Sequence, residues 1–451
     1  MQQIAGRPYW VVQFDQHGAL TSGTQGALAA EIAAAGVSNL FLMSHGWNND
    51  VAAAEALYGR MFPIIKAQCD LNPDVDDIGF IGLVWPSILF PDDPGQAAVP
   101  TGIGAQSIEA AVPSPVNVTT RKTGGEITAA MARSFPGDQQ DVLVEMGRLI
   151  DDGLRHTTAG DTTEVEQAAD VQRFHTLLQQ LVGPPDGATE DSGEMSLLAS
   201  PDPVADYQRI ATAMATGAQA GDAQGIGSIF GTVWNGAKDA LRVASFWQMK
   251  NRAGVVGKAG LGPLLEALHG QNSQIRVHLI GHSFGARVVA CSLSGISSAA
   301  ASPVASLLLL QGAFSHWAFA SNYPPNGDNG SLLGTSDRVH GPLVSTFTQF
   351  DWAVGRWYPK ASFLSGEDAQ SEAPSGRWGG MGADGFQSSQ PAAGFTVVSG
   401  QPAYPLVNGT FHQADANGII TDTGQSAFAG AHSDIVKDEI GWLAARVALP
   451  I

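Results

Sequence analysis

The sequence predicts an α/β protein: an open, mostly parallel sheet flanked by helices and interrupted by one large, mainly helical insertion. Three observations predict it. Short continuous apolar runs recur along the chain, bounded by Gly, Pro, Asn or Asp, as suits strands buried on both faces of a parallel sheet. Apolar residues at helical spacing fill the intervals between those runs. One run, Val277-His278-Leu279-Ile280, leads straight into Gly281-His282-Ser283-Phe284-Gly285 and then Ala286-Arg287-Val288-Val289-Ala290, a strand, turn and helix in immediate succession.

Taken in order, the apolar runs are Tyr9 to Phe14, Asn39 to Met43, Ile78 to Trp85, Ile275 to Ile280, Ser306 to Gln311, Leu343 to Phe350 and Gly394 to Val398. Between them, helices are expected over Gly26 to Ala35, Val51 to Ala67, Leu261 to Leu268 and Ile435 to Ala448. The alternation breaks once. Between Trp85 and Ile275 no strand stands out; Glu126 to Leu154, Thr163 to Leu181, Val204 to Gly217 and Ile229 to Ala253 read as helices. The Pro- and Gly-rich stretches Pro91 to Pro115 and Gly183 to Pro203 read as loops, as does Ser362 to Ala393. The expected division is a core of residues 1–85 and 245–451, with residues 86–244 as a cap or insertion.

Composition narrows the function. Hydrophobic residues make up 44% of the 451, enough for a sizeable core, and only 14% are charged. A net charge of −19 argues against nucleic acid and against an anionic membrane surface as partner. No uninterrupted apolar stretch is long enough to span a bilayer. Met1 to Pro8 shows no basic region followed by an apolar run, so a cytoplasmic location is expected, although a mature secreted chain would look the same. Cys69 and Cys291 lie far apart; a chain of this size needs no disulfide, and Cys291 reads as a small buried residue. There is no closely spaced His, Cys or Asp cluster to suggest a metal, and no Gly-rich loop followed by Lys to suggest a nucleotide, so no cofactor is expected. The sequence carries no signal for oligomeric state.

The chemistry centres on Ser283. A serine on a tight strand-to-helix turn is pushed outward, and the flanking Gly281 and Gly285 are there because side chains would clash. The following helix offers free N–H groups where an oxyanion would develop. A serine hydroxyl needs a base, and the chain has eleven histidines. His282 adjoins the serine, but neighbouring elbow positions point apart. His432, in Gly430-Ala431-His432-Ser433-Asp434 before the last amphipathic helix, is the candidate base. Asp351, after the run Leu343 to Phe350, is the candidate orienting acid, because catalytic groups gather at carboxyl ends of strands. His412, Asp384 and Asp415 are the fallbacks.

The order Ser283, Asp351, His432 and the Gly281 to Gly285 elbow resemble the α/β-hydrolase superfamily, esterase and lipase type. So do His45-Gly46 after an early strand and the closing Ala431-His432-Ser433-Asp434. The resemblance covers roughly residues 7–85 and 245–450 and leaves out the insertion. It makes the strand ending at Met43 the third of the sheet, that ending near Trp85 the fourth and that before Ser283 the fifth, with Asp351 after the seventh. It implies an oxyanion hole from the N–H of Phe284 and that of Trp47 or Gly46. It also implies a carboxylic ester hydrolase working through an acyl-enzyme on a small-molecule or polymeric ester. His45, Trp47, Phe314 and Trp352 are the expected substrate contacts. The insertion follows the fourth strand, whereas the lid of many family members follows the sixth, so no lipase substrate carries over. An acyltransferase with the same triad, and an inactive binding protein on the same fold, are the alternatives.

Overall fold

The computed structural model describes residues 2–47, 49–71, 77–87, 123–132, 135, 137–182, 190, 197–215, 229–324, 327–357, 376–388, 392–424 and 429–449. Among these described residues nine strands form one sheet: β1 Gln2–Ile4, β2 Arg7–Gln13, β3 Asn39–Ser44, β4 Ile78–Val84, β5 Arg276–His282, β6 Val304–Leu310, β7 Leu343–Phe347, β8 Ala393–Thr396 and β9 Phe411–Asp415. Their spatial order is β1-β2-β4-β3-β5-β6-β7-β9-β8. Only the β1–β2 pair is antiparallel; every other neighbour runs parallel.

The continuous apolar runs are buried on both faces, and the period of two sorts their side chains. Leu40 and Leu42 of β3 join one core, with Ile81, Leu83, Leu279 and Leu309. Phe41 and Met43 join the other, with Phe80, Val84, Ile280 and Leu310. The first core is covered by α1 (Gln25–Ala34), α8 (Gly262–Gln271) and α9 (Phe284–Ser292); the second by α2 (Val51–Cys69) and α11 (Asp438–Ala448). Helix starts are marked by side chains that accept otherwise unpaired N–H groups: Thr24 from Ala27 at α1, and Asp50 from Ala53 at α2. A π-helix, Val256–Leu261, leads into α8.

The insertion between β4 and β5 contributes α3 (Gly124–Met131), α4 (Gly137–Ala159), α5 (Glu164–Val182), α6 (Pro203–Ala215) and α7 (Ile229–Val255). It has a core of its own, built from Ile127, Met146, Phe174, Leu178, Tyr207, Trp234, Leu241 and Trp247. Helix α7 runs unbroken through Ser245. Its buried residues belong to the insertion's core up to Trp247 and to the sheet's core from Met249. The passage between the two bodies is therefore one continuous helix and not a linker.

Several boundaries differ from expectation. The helix expected over Glu126 to Leu154 is two helices, α3 and α4. Strand β7 stops at Phe347, because the Thr348 hydroxyl turns to the Ile420 carbonyl, 3.1 Å away, and the chain bends. The last helix begins at Asp438, not Ile435. Strands β1 and β9 were not expected. The remaining short helix, α10, spans Met381–Asp384 within a stretch read as loop. The expected loop Pro91 to Pro115 lies outside the described residues, as does most of Gly183 to Pro203. Neither Cys69 nor Cys291 is in a disulfide among the described residues; both are buried, on opposite faces of the sheet, and burial pushes the Cys69 thiol up to about 12.

Candidate active site

Ser283 sits between β5 and α9 with φ +58° and ψ −126°, a conformation an L-residue adopts only under constraint. The constraint is visible in its neighbours. A Cβ on Gly281 would lie 2.4 Å from the Ala286 Cα, and one on Gly285 would lie 2.2 Å from the Ser44 carbonyl oxygen. The elbow is thus pressed between its own helix and the end of β3. It is also tied to β6: Ser283 donates its N–H to the Leu310 carbonyl at 3.1 Å, and its own carbonyl accepts from Ala313 at 3.1 Å.

The loop after β3 lies directly against the serine. A Cβ on Gly46 would fall 2.6 Å from the Ser283 Cβ and 3.1 Å from its Oγ. His45 builds that loop. Its Nδ1 is 2.7 Å from the Gly46 carbonyl, which can only accept, so Nδ1 carries the proton. Its Nε2 is then bare and accepts from the Trp85 N–H at 3.2 Å. Burial holds this imidazole down to about 4, so it is neutral at ordinary pH. The Trp85 indole stacks on it at 5.6 Å and donates to its carbonyl, and Tyr58 accepts its N–H at 2.9 Å. Asn49 donates to the carbonyls of both Gly46 and Trp47. His45 was expected to touch substrate. With both ring nitrogens engaged and the ring buried, it holds the loop instead.

The structure brings His432 and Asp351 together. Imidazole Nδ1 donates to Asp351 Oδ2 at 2.7 Å, and both residues are buried. An antiparallel bridge between Asp351 and Gly430 brings their two loops side by side. Asp351 Oδ1 accepts the Val354 N–H at 2.9 Å, and Oδ2 accepts a second bond from Gln311. His282, beside the serine, donates Nε2–H to the His432 carbonyl at 3.0 Å. Burial lowers His282 to about 3, so it is a neutral tie between the elbow and the His432 loop, not a base. The Ser283 Oγ itself makes no hydrogen bond among the described residues, to His432 or to any other group.

The aromatic expectations divide. Trp47 is buried against Phe246 of α7 at 5.5 Å and Phe284 at 6.0 Å, and those two rings meet at 5.0 Å. Its indole nitrogen has no partner among the described residues. Phe314, expected to face substrate, is fully buried in the sheet's core. Trp352 is half-buried and packs against Gly430 on the His432 loop. The N–H groups of Phe284 and Trp47 take no acceptor among the described residues.

The fallback residues are occupied elsewhere. His412 accepts the Val407 N–H inside β9, Asp415 binds Asn417, and Asp384 pairs with His316 at 2.8 Å. Burial raises the Asp384 carboxyl. No group of three metal-ligand side chains occurs among the described residues, and no helix among them is long and apolar enough to cross a membrane. The roles of His282 and Gln311 lie outside any motif; a polar residue ending an apolar run was the only signal for Gln311. No family model, curated protein or solved structure matches this chain.

Proposed function

We propose that this protein is a serine hydrolase of the α/β-hydrolase type that cleaves carboxylic esters. One observation carries the reading: a buried His432–Asp351 pair at 2.7 Å, tied through His282 to a serine held at positive φ on a strand-to-helix turn. Few structural needs explain that combination, because backbone strain of about 1–3 kcal/mol persists only where the surroundings impose it. The strand order, with β4 between β2 and β3 and the elbow after β5, supports the same reading.

In this mechanism Ser283 Oγ attacks the ester carbonyl while His432 Nε2 removes its proton. Asp351 keeps Nδ1 protonated and steadies the imidazolium that forms. The N–H groups of Phe284 and Trp47 receive the oxyanion, the first aided by the α9 N-terminus. His432 then protonates the departing alcohol, and a water activated by the same imidazole releases the acid. The Trp47, Phe246 and Phe284 rings favour an apolar or aryl acyl group. Because Phe246 lies on α7, the insertion acts as a cap over the serine, excluding water from the acyl-enzyme.

The test is steady-state hydrolysis of aryl esters by wild type and Ser283→Ala. The variant should fold normally and lose about 10⁴-fold or more in kcat. A folded variant with near-wild-type turnover overturns the reading. Adding an alcohol acceptor then distinguishes hydrolysis from acyl transfer by its products.

A further inference from the structure

Among the described residues, two buried non-glycine residues hold positive φ: Ser283 at +58° and Gln311 at +48°. They follow adjacent parallel strands, β5 and β6, and the two turns are hydrogen-bonded to each other through Ser283 and Ala313. The elbow explains the first. Nothing in the elbow requires the second, although it carries a cost of the same order, roughly 1–3 kcal/mol.

What the strained turn achieves is the placement of one amide. The Gln311 N–H donates to Thr346 Oγ1 at 3.0 Å, and that hydroxyl donates to Gln311 Oε1 at 2.9 Å. The Nε2 group spends its two protons on Asp351 Oδ2 at 2.9 Å and the Gly382 carbonyl at 3.0 Å. The reversed amide would set Oε1 against two acceptors with no proton between them, so chemistry fixes the orientation. Asp351 Oδ2 is also the oxygen that accepts from His432 Nδ1 at 2.7 Å. The carboxylate is therefore held at both ends, Oδ1 by the Val354 N–H and Oδ2 by Gln311. Gln311 and Asp351 are both buried, so water cannot readily replace the lost amide.

We propose that Gln311 is the positioning residue for the Asp351–His432 pair, and that the strained turn after β6 exists to aim its amide at Asp351. Without it the carboxylate keeps the Val354 N–H on Oδ1 but loses its second donor on Oδ2, and the lone pair facing His432 is less closely fixed. This rests on the hydrolase reading, in which the aim of the imidazole limits acylation.

Two variants test it. Gln311→Met keeps the length of the side chain and removes the amide; Thr346→Val removes only the hydroxyl that anchors it. Both should keep KM and lower kcat, Gln311→Met on the order of 10- to 100-fold, as small misplacements of catalytic groups do. In both, the strongly downfield proton resonance of the His432–Asp351 hydrogen bond should move or vanish, which a merely structural residue would not cause. A folded Gln311→Met protein with wild-type kcat and an unmoved resonance overturns the proposal. If Gln311→Met does not fold, the same result in Thr346→Val overturns it. If wild type neither cleaves esters nor reacts with a fluorophosphonate, the hydrolase reading fails by itself, and the resonance still reports whether Gln311 holds the pair.

Discussion

The proton on His432 Nδ1 is the smallest feature on which the proposed chemistry depends. Asp351 can accept it because its Oδ2 meets two donors and its Oδ1 a third. Asn in its place cannot satisfy all three: whichever way the amide turns, its NH2 faces either the Val354 N–H or the His432 and Gln311 donors. Asp351→Asn is therefore expected to lower kcat by roughly 10³- to 10⁴-fold with little change in KM. Steady-state kinetics check this, and a loss smaller than about tenfold would show that His432 works without its acid. Ser283, Asp351 and His432 were legible in the sequence because each lies beside a local landmark: an elbow, a strand end, a final helix. That the rings of His45 and Phe314 are buried is not legible locally, since it is settled by residues such as Trp85 and Met381 that lie far away in the chain. Gln311 shows in the sequence only as a polar residue ending an apolar run, because its value comes from a strained turn and from Asp351, 40 residues later.

At the scale of elements, the strands with long apolar runs were legible and two others were not. Strand β1 has three residues on an edge, and β9 mixes Phe411 and Ala414 with His412, Gln413 and Asp415, so its period is diluted. The junction of strand, turn and helix at Ser283 is one of the close contacts between elements. Gly285→Ala drives a methyl to 2.2 Å from the Ser44 carbonyl and must push α9 away from β3. It is expected to cost about 1–3 kcal/mol in a urea melt and to remove most activity. A fully stable, fully active variant would mean that the β3 loop and the elbow need not touch. Helix α7 is expected to act on specificity. Phe246→Ala removes one ring from the Trp47 and Phe284 cluster and should raise KM for aryl or long-chain esters by about 10-fold while leaving an acetyl ester unaffected. An unchanged substrate profile would place the cap function elsewhere.

The whole molecule stores neutral histidines in its core, and that makes its stability depend on pH. Burial, the largest cause in each case, holds His45 at about 4 and His278 and His282 at about 3. In the unfolded chain each returns to about 6.5, so below that value unfolding takes up protons and stability falls as pH drops toward the folded values. Above about pH 7.5 the three groups are neutral in both states and contribute almost no slope. Between about pH 7.5 and 5.5 the three together should cost about 4 kcal/mol, read as a fall in the urea midpoint at constant m-value. A flat stability curve across that window would mean that these rings reach water or partners on protonation. The tie from His282 to His432 and the strained elbow are the features on which the proposed activation of Ser283 as a nucleophile rests. The direct measurement is reaction with a fluorophosphonate probe, followed by peptide mapping of the modified residue. Stoichiometric labelling of Ser283, abolished in His432→Ala, is the expected result; no labelling of the folded protein, or labelling at another serine, would contradict it.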